Sequence, residues 1–218
     1  MNIAEEIFKN ANLDAPSVLH GDQITTYGDL EQRSAWIAEK LGPAIATKPS
    51  ARVGLSCPDS ADYIAMALGI LRAGGCFVPL APELTEPERQ KLTEEVALDV
   101  VLRREKNGEI HIELIPPRAA EPPWLEELQK LAPAFIRFSS GTTGDSKGIV
   151  LSHRTLLERI IAANAGLRIS PEDRVLWVLP MSHHFAVSIM LYLWHGAAVV
   201  LPEFHLAGDI LAAAVRHK

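Results

Sequence analysis

A chain of 218 residues is long enough for one large domain or two small ones, and 48% hydrophobic with 22% charged residues reads as globular, not disordered. The net charge of −6, with no polybasic run, gives no footprint for nucleic acid or an anionic membrane surface. Cys57 and Cys76 sit in apolar stretches without metal-ligand spacing and read as reduced core residues.

The N-terminal "MNIAEEIFKN" is amphipathic and acidic, unlike a signal peptide. "SVLH" and "QITTY" read as two short strands around the turn "GD". "GDLEQRSAWIAEKL" places Leu30, Ala35, Ile37, Ala38 and Leu41 at helical spacing. "ARVGLS" is a short apolar strand, followed by a helix that Pro58-Asp59 opens and Gly74-Gly75 ends. "CFVPL" reads as a buried strand. Thr85 and Glu88 have the spacing of a capping box, which predicts a helix through "PERQKLTEEVA". "LDVVLR" is a strand, and Arg103 to Pro123 reads as one strand, "EIHIELI", with an exposed proline-rich loop.

From Ala134 the alternation returns: strand, Gly-rich loop, strand "IVLS", helix "RTLLERIIAANAGL", strand "RVLWVLP", helix, strand "AAVVLP" and a last helix "GDILAAAVRHK". The longest apolar stretch, "AVSIMLYLWHGAAVVLP", is broken by His195 and Gly196 and is too short to span a membrane, so the chain reads as cytoplasmic. Strands alternating with helices predict an α/β layered fold with a mainly parallel sheet flanked by helices.

The most informative stretch is "FIRFSSGTTGDSKGIVLSH", Phe135 to His153. Ser139, Ser140, Gly141, Thr142, Thr143, Gly144 and Lys147 suit an anion. Glycines let backbone N–H groups approach oxygen atoms, hydroxyls donate further hydrogen bonds, and a lysine adds a mobile positive charge. A strand running into the loop puts it at the carboxyl end of a sheet, where α/β folds bind ligands. It is not the P-loop NTPase pattern, because Lys147 is followed by Gly148 and only two residues separate Gly141 from Gly144. A polar surface hairpin uses the same residue types and is the plain alternative.

"FSSGTTGDSKG" resembles the phosphate-binding signature of the adenylate-forming superfamily, [ST]-S-G-[ST]-T-G-x-P-K-G, with Ser146 at the usual proline. That superfamily includes acyl- and aryl-CoA ligases and adenylation domains of non-ribosomal peptide synthetases. "TTYGDLEQRSAWIA", "LGILRAGGCFVPLAPEL" and "VLPMSHHFAVSIMLYLWHGAAVVLP" resemble further family segments in the family's order, from Thr25 to Pro202. The resemblance implies an ATP- and Mg²⁺-dependent ligase. A carboxylate attacks the α-phosphate of ATP, and the acyl-adenylate then passes to a thiol of coenzyme A or a carrier protein's phosphopantetheine. It also implies that Ser139 to Gly144 and Lys147 hold the terminal phosphates.

In the same resemblance the histidine of the family's "LPLFH" lies near the acid pocket. The equivalent here is His183, and "HHF" resembles the "HNF" of aryl-acid-activating members, with His184 at the asparagine. The resemblance raises an aryl acid as the substrate, with a fatty acyl acid also open. The alternative is a pair of histidines in the first turn of a helix, with satisfied hydrogen bonds and no ligand. No Asp, Glu or Cys lies at i+3 or i+4 to complete a metal site. His195 and His205 read as structural, Trp177 and Trp194 as core, and Arg137, in a strand otherwise apolar, as a solvated residue or as one that helps attract phosphate.

The family's later segments, "Y-G-x-T-E", "T-G-D" and the lysine of a small C-terminal domain, find no counterpart in this chain. Thr143-Gly144-Asp145 spells T-G-D inside the phosphate loop, and Lys218 is only the last residue. No catalytic residue is assigned. Residues 1–218 read as the N-terminal portion of an AMP-binding domain, inactive alone, with apolar surface able to drive homodimerisation. The competing reading is a non-catalytic module that binds an acyl or phosphate ligand, or a subunit that needs a complementing partner.

Overall fold

The computed structural model describes residues 1–139 and 147–218. The expected alternation is present, but its strands divide between two sheets. The four-stranded sheet has the order β2 (Gln23–Thr26), β1 (Pro16–His20), β10 (Ala198–Leu201), β9 (Arg174–Leu176). The six-stranded sheet has the order β6 (Ile110–Leu114), β5 (Val100–Arg104), β3 (Arg52–Ser56), β4 (Cys76–Pro79), β7 (Pro133–Ser139), β8 (Lys147–Ser152). β5, β3, β4 and β7 run parallel, as do β1, β10 and β9. Antiparallel partners lie at the edges: β2 on β1, β6 on β5 and β8 on β7. The division arises because β1 takes β10 as its parallel neighbour, with Val18 opposite Val199. Strand periodicity carries no information about such a distant partner.

Helices α1 (Ile3–Asn10), α2 (Tyr27–Ile45) and α3 (Ala61–Arg72) pack together in the main core. Thr26 and Asp29 close a capping box at the start of α2: the Thr26 N–H donates to Asp29 Oδ2 at 2.8 Å, and the Asp29 N–H donates to Thr26 Oγ1 at 3.1 Å. Every residue of α3 from Tyr63 to Leu71 is buried. A helix apolar all round is one enclosed on all sides. Tyr63, Phe77 and Phe185 form an aromatic cluster, with Phe185 centred 5.8 Å from Tyr63 and 5.5 Å from Phe77. Both cysteines are buried and free, and burial pushes the Cys57 thiol up to about 12.

At the amino end of β3, Arg52 and Asp99 form a buried ion pair at 2.8 Å. Asp99 Oδ2 also accepts the Arg52 backbone N–H at 2.9 Å, and the Arg52 Nε–H donates to the Ala97 carbonyl at 2.8 Å. The pair therefore ties β3 to the turn before β5.

Three details depart from the sequence pattern. A short helix, α5 (Leu125–Lys130), follows the proline-rich loop, supported by Lys130 pairs to Glu126 and Glu127. The strand expected over "RVLWVLP" ends at Leu176, although the Trp177 N–H still donates to the Val200 carbonyl at 2.8 Å. The helix after it is composite: α7 (Met181–His184), a π-helical turn (Phe185–Ile189) and α8 (Met190–Trp194). The remaining helices are α4 (Glu86–Glu95), α6 (His153–Leu167) and α9 (Ala207–Arg216). α9 has no fully buried residue, and Leu211 and Val215 are exposed with Phe204 and Leu206 before it. No helix among the described residues is long and apolar enough to cross a membrane.

Gly69 is where α2 and α3 touch most closely. A Cβ there would lie 2.6 Å from Ile37 Cγ2 and 3.0 Å from the Ser34 carbonyl oxygen. Gly69→Ala is expected to destabilise the fold by about 1–3 kcal/mol through overpacking, read as a lower denaturant midpoint at unchanged slope. Asp99→Ala leaves Arg52 buried without its partner and is expected to cost about 3–5 kcal/mol in the same measurement.

Candidate functional site

The parallel strands β3, β4 and β7 end on one side of the six-stranded sheet, at Ser56, Pro79 and Ser139. Ligands of open α/β sheets bind beyond such carboxyl ends. β7 and β8 form an antiparallel pair in which Phe138 faces Gly148 and Ser139 faces Lys147. The backbones of Ser139 and Lys147, two of the predicted phosphate residues, are thus the facing ends of one ladder. Ser140, Gly141, Thr142, Thr143 and Gly144 lie outside the described residues.

His183 and His184 lie in α7, which follows β9 beyond the carboxyl end of the four-stranded sheet. His183 is exposed, and its Nδ1 is 3.0 Å from Ser182 Oγ. His184 is half-buried, with its ring 6.0 Å edge-on to Trp177. Burial holds the His184 imidazole below its ordinary pKa, and the positive charge of Arg137 lowers it further, with a smaller effect from His183.

Trp177 is buried, as expected of a core residue, yet its indole N–H has no hydrogen-bond partner among the described residues. Trp194 is half-buried against the main core. His195, read as structural, is partly buried, its Nε2 has no hydrogen-bond partner among the described residues, and burial lowers its pKa.

Sequence reasoning missed Asp59. Its Oδ1 and Oδ2 accept the Met181 N–H at 3.0 and 3.1 Å, across 122 residues. The N-cap of α7 is Pro180, which offers no side-chain hydrogen bond, so a distant carboxylate satisfies the first turn. Asp59 is available because Ser60 caps α3 itself, its Oγ accepting the Tyr63 N–H at 3.2 Å. Burial raises the Asp59 pKa; the Met181 N–H opposes this, as do His205 and His183, while Glu83 adds to the rise. The signal in the sequence was Pro-Asp-Ser before a helix, which reads equally well as an ordinary helix start.

A groove of about 700 Å³ runs between α2 and the β5–β6 hairpin, past Trp36, Asp62 and His111. It includes none of the predicted site residues.

The profile of the AMP-binding enzyme family matches residues 5–218. The chain is 33% identical over 210 residues to pyochelin synthetase PchE of Pseudomonas aeruginosa, a match covering 92% of this chain and 14% of that protein. It is 28% identical over 212 residues to the nonribosomal peptide synthetase GRA1 of Gibberella zeae, covering 93% and 3%. Among solved structures, ATP-bound MatB from Rhodopseudomonas palustris superposes with a TM-score of 0.81 at 19% identity, covering 99% of this chain and 48% of that one. The inhibitor-bound N-terminal domain of FACL13 from Mycobacterium tuberculosis gives 0.80 at 20% identity, covering 99% and 60%. The chain thus spans a small part of these curated relatives and about half of the solved chains. The superpositions show that the two-sheet fold is shared with MatB and with the N-terminal domain of FACL13.

The electrostatic neighbourhood of His184 is open to a direct check. Arg137→Met is expected to raise the His184 pKa toward, but not up to, its ordinary value, because burial remains; proton NMR titration of the imidazole Hε1 line reads it.

Proposed function

Since the chain belongs to the AMP-binding enzyme family, we propose that residues 1–218 are the N-terminal portion of an AMP-forming carboxylic acid–thiol ligase. The observation that supports this reading is that the helix carrying the histidines is hydrogen-bonded, Met181 N–H to Asp59, to the segment beyond the carboxyl end of β3, in the same sheet as the strands that flank the Gly-rich loop. In that sheet the backbones of Ser139 and Lys147 face each other on β7 and β8.

In this reading Ser139, Ser140, Gly141, Thr142, Thr143, Gly144 and Lys147 hold the β- and γ-phosphates of ATP. His183 and His184 line one wall of the acid pocket. An oxygen of the substrate carboxylate attacks the α-phosphorus, and the bond to the bridging oxygen breaks to release pyrophosphate. A thiolate then attacks the acyl carbon, and AMP leaves. Mg²⁺, when bound to ATP, neutralises charge as pyrophosphate departs. The chain's own contribution is positioning and hydrogen bonding, and the lowered pKa of His184 favours a neutral ring that can accept or donate one hydrogen bond.

The His-His-Phe run favours an aryl acid over a fatty acid. The synthetase names of the relatives favour a carrier protein's pantetheine thiol over coenzyme A as acceptor. Turnover requires residues beyond this chain. The exposed apolar residues of α9 support a covered face, met by the rest of the ligase or, in the isolated chain, by a second copy. A subunit working with a separate complementing chain is the second reading that the same face favours.

The test is pyrophosphate release from ATP. This chain alone is expected to release none, with or without benzoate. A chimera that continues it with the remainder of the matching PchE domain is expected to release pyrophosphate only when an acid is present. Lys147→Ala in that chimera is expected to slow release about 100-fold, the scale of losing a charge-stabilising group. Acid-dependent release by the chain alone would overturn its dependence on further residues. Full release by the Lys147→Ala chimera would overturn the assignment of the loop.

A further inference from the structure

We infer that Asp59 is a positioning residue for the acid pocket, setting where His183 and His184 stand relative to the phosphate-loop strands. The inference rests on the acid-pocket reading of these histidines and adds a residue to it from the other sheet.

Asp59 follows β3 of the six-stranded sheet, two residues before α3, while the histidines follow β9 of the four-stranded sheet. Both of its carboxylate oxygens accept from the single Met181 N–H. Nothing closer does this work: Pro180 gives no cap hydrogen bond, and the Ser182 hydroxyl is engaged with His183 Nδ1. The composite helix has its second attachment in the core, where Phe185 packs between Tyr63 and Phe77. Tyr63 stands four residues after Asp59 and extends the same attachment into α3.

Met181, Ser182 and Phe185 are thus buried and held, while His183 is exposed and His184 half-buried between them. Fixed neighbours on both sides orient exposed groups, as supporting shells do in built sites. Asp59 is half-buried, so its bond to Met181 is partly shielded from water. The chemistry it serves is the binding of a carboxylic acid, so the effect of losing it falls on acid affinity more than on phosphate contacts.

The experiment follows the imidazole Hε1 lines of His183 and His184 by NMR in this chain, with benzoate as the probe. Asp59→Ala removes both acceptor oxygens, and Asp59→Asn keeps one. In Asp59→Ala both histidine lines are expected to move and broaden, and benzoate affinity to fall about tenfold, the scale of a lost charge-assisted hydrogen bond. Asp59→Asn is expected to restore the line positions and to bring affinity within about threefold of the original. His195, which follows α8 at the other end of the composite helix, serves as the internal reference line and should not move. Unmoved His183 and His184 lines in Asp59→Ala would overturn the inference, as would equal disturbance in Asp59→Ala and Asp59→Asn. If the unaltered chain shows no benzoate binding, the acid reading fails, but the line positions still decide whether Asp59 positions the histidines. If Asp59→Ala does not melt cooperatively, Asp59→Glu supplies the comparison: its longer side chain should displace the same two lines, and unchanged lines there would sink the inference.

Discussion

The enclosure of α3 is the constraint on which the rest of the structure depends. Its run from Tyr63 to Leu71 is buried without a break, so it can exist only with structure on all sides. α2 closes one side, with Gly69 allowing Ile37 to seat against the helix axis. β3 and β4 close another, and Phe77 and Phe185 meet Tyr63 near its start. Because the segment before α3 follows β3, the start of this helix lies beyond the carboxyl ends of the parallel strands. The buried helix therefore fixes the position of Asp59, and through it the helix that begins at Met181.

This arrangement explains why the candidate site combines both sheets. The six-stranded sheet delivers the ends of β7 and β8, and the four-stranded sheet delivers α7. Strand pairing does not register one set against the other, since no ladder among the described residues joins the two sheets. The register comes from Tyr63, Phe77 and Phe185 in the core and from the Asp59–Met181 hydrogen bond at the rim.

The legible part of the fold was local. Leu30, Ile37 and Leu41 lie on the buried face of α2, as helical spacing predicted, and Thr85 with Glu88 forms the capping box expected for α4. The pairing of β1 with β10 was not legible, because a strand's pattern specifies a face and not a neighbour. α5 went unread because its six residues are too few to show a period. Of the site, the Gly-rich loop and the histidine pair stood out by residue type and by likeness to a family signature. Asp59 did not, since its role depends on a contact 122 residues away that only packing creates. The π turn at Phe185 likewise has no sequence signal, although it helps decide which residues of the composite helix face the core.

The central claim is that the loop on β7 and β8 cradles the terminal phosphates of ATP. The most direct measurement is ³¹P NMR of Mg-ATP at millimolar concentration, titrated with this chain and with its Thr143→Ala, Lys147→Ala double variant. The account predicts saturable broadening of the β- and γ-phosphate lines, greater than that of the α line, and its loss in the double variant. Unchanged lines with the folded chain, or equal broadening of all three lines that survives the double substitution, would contradict it.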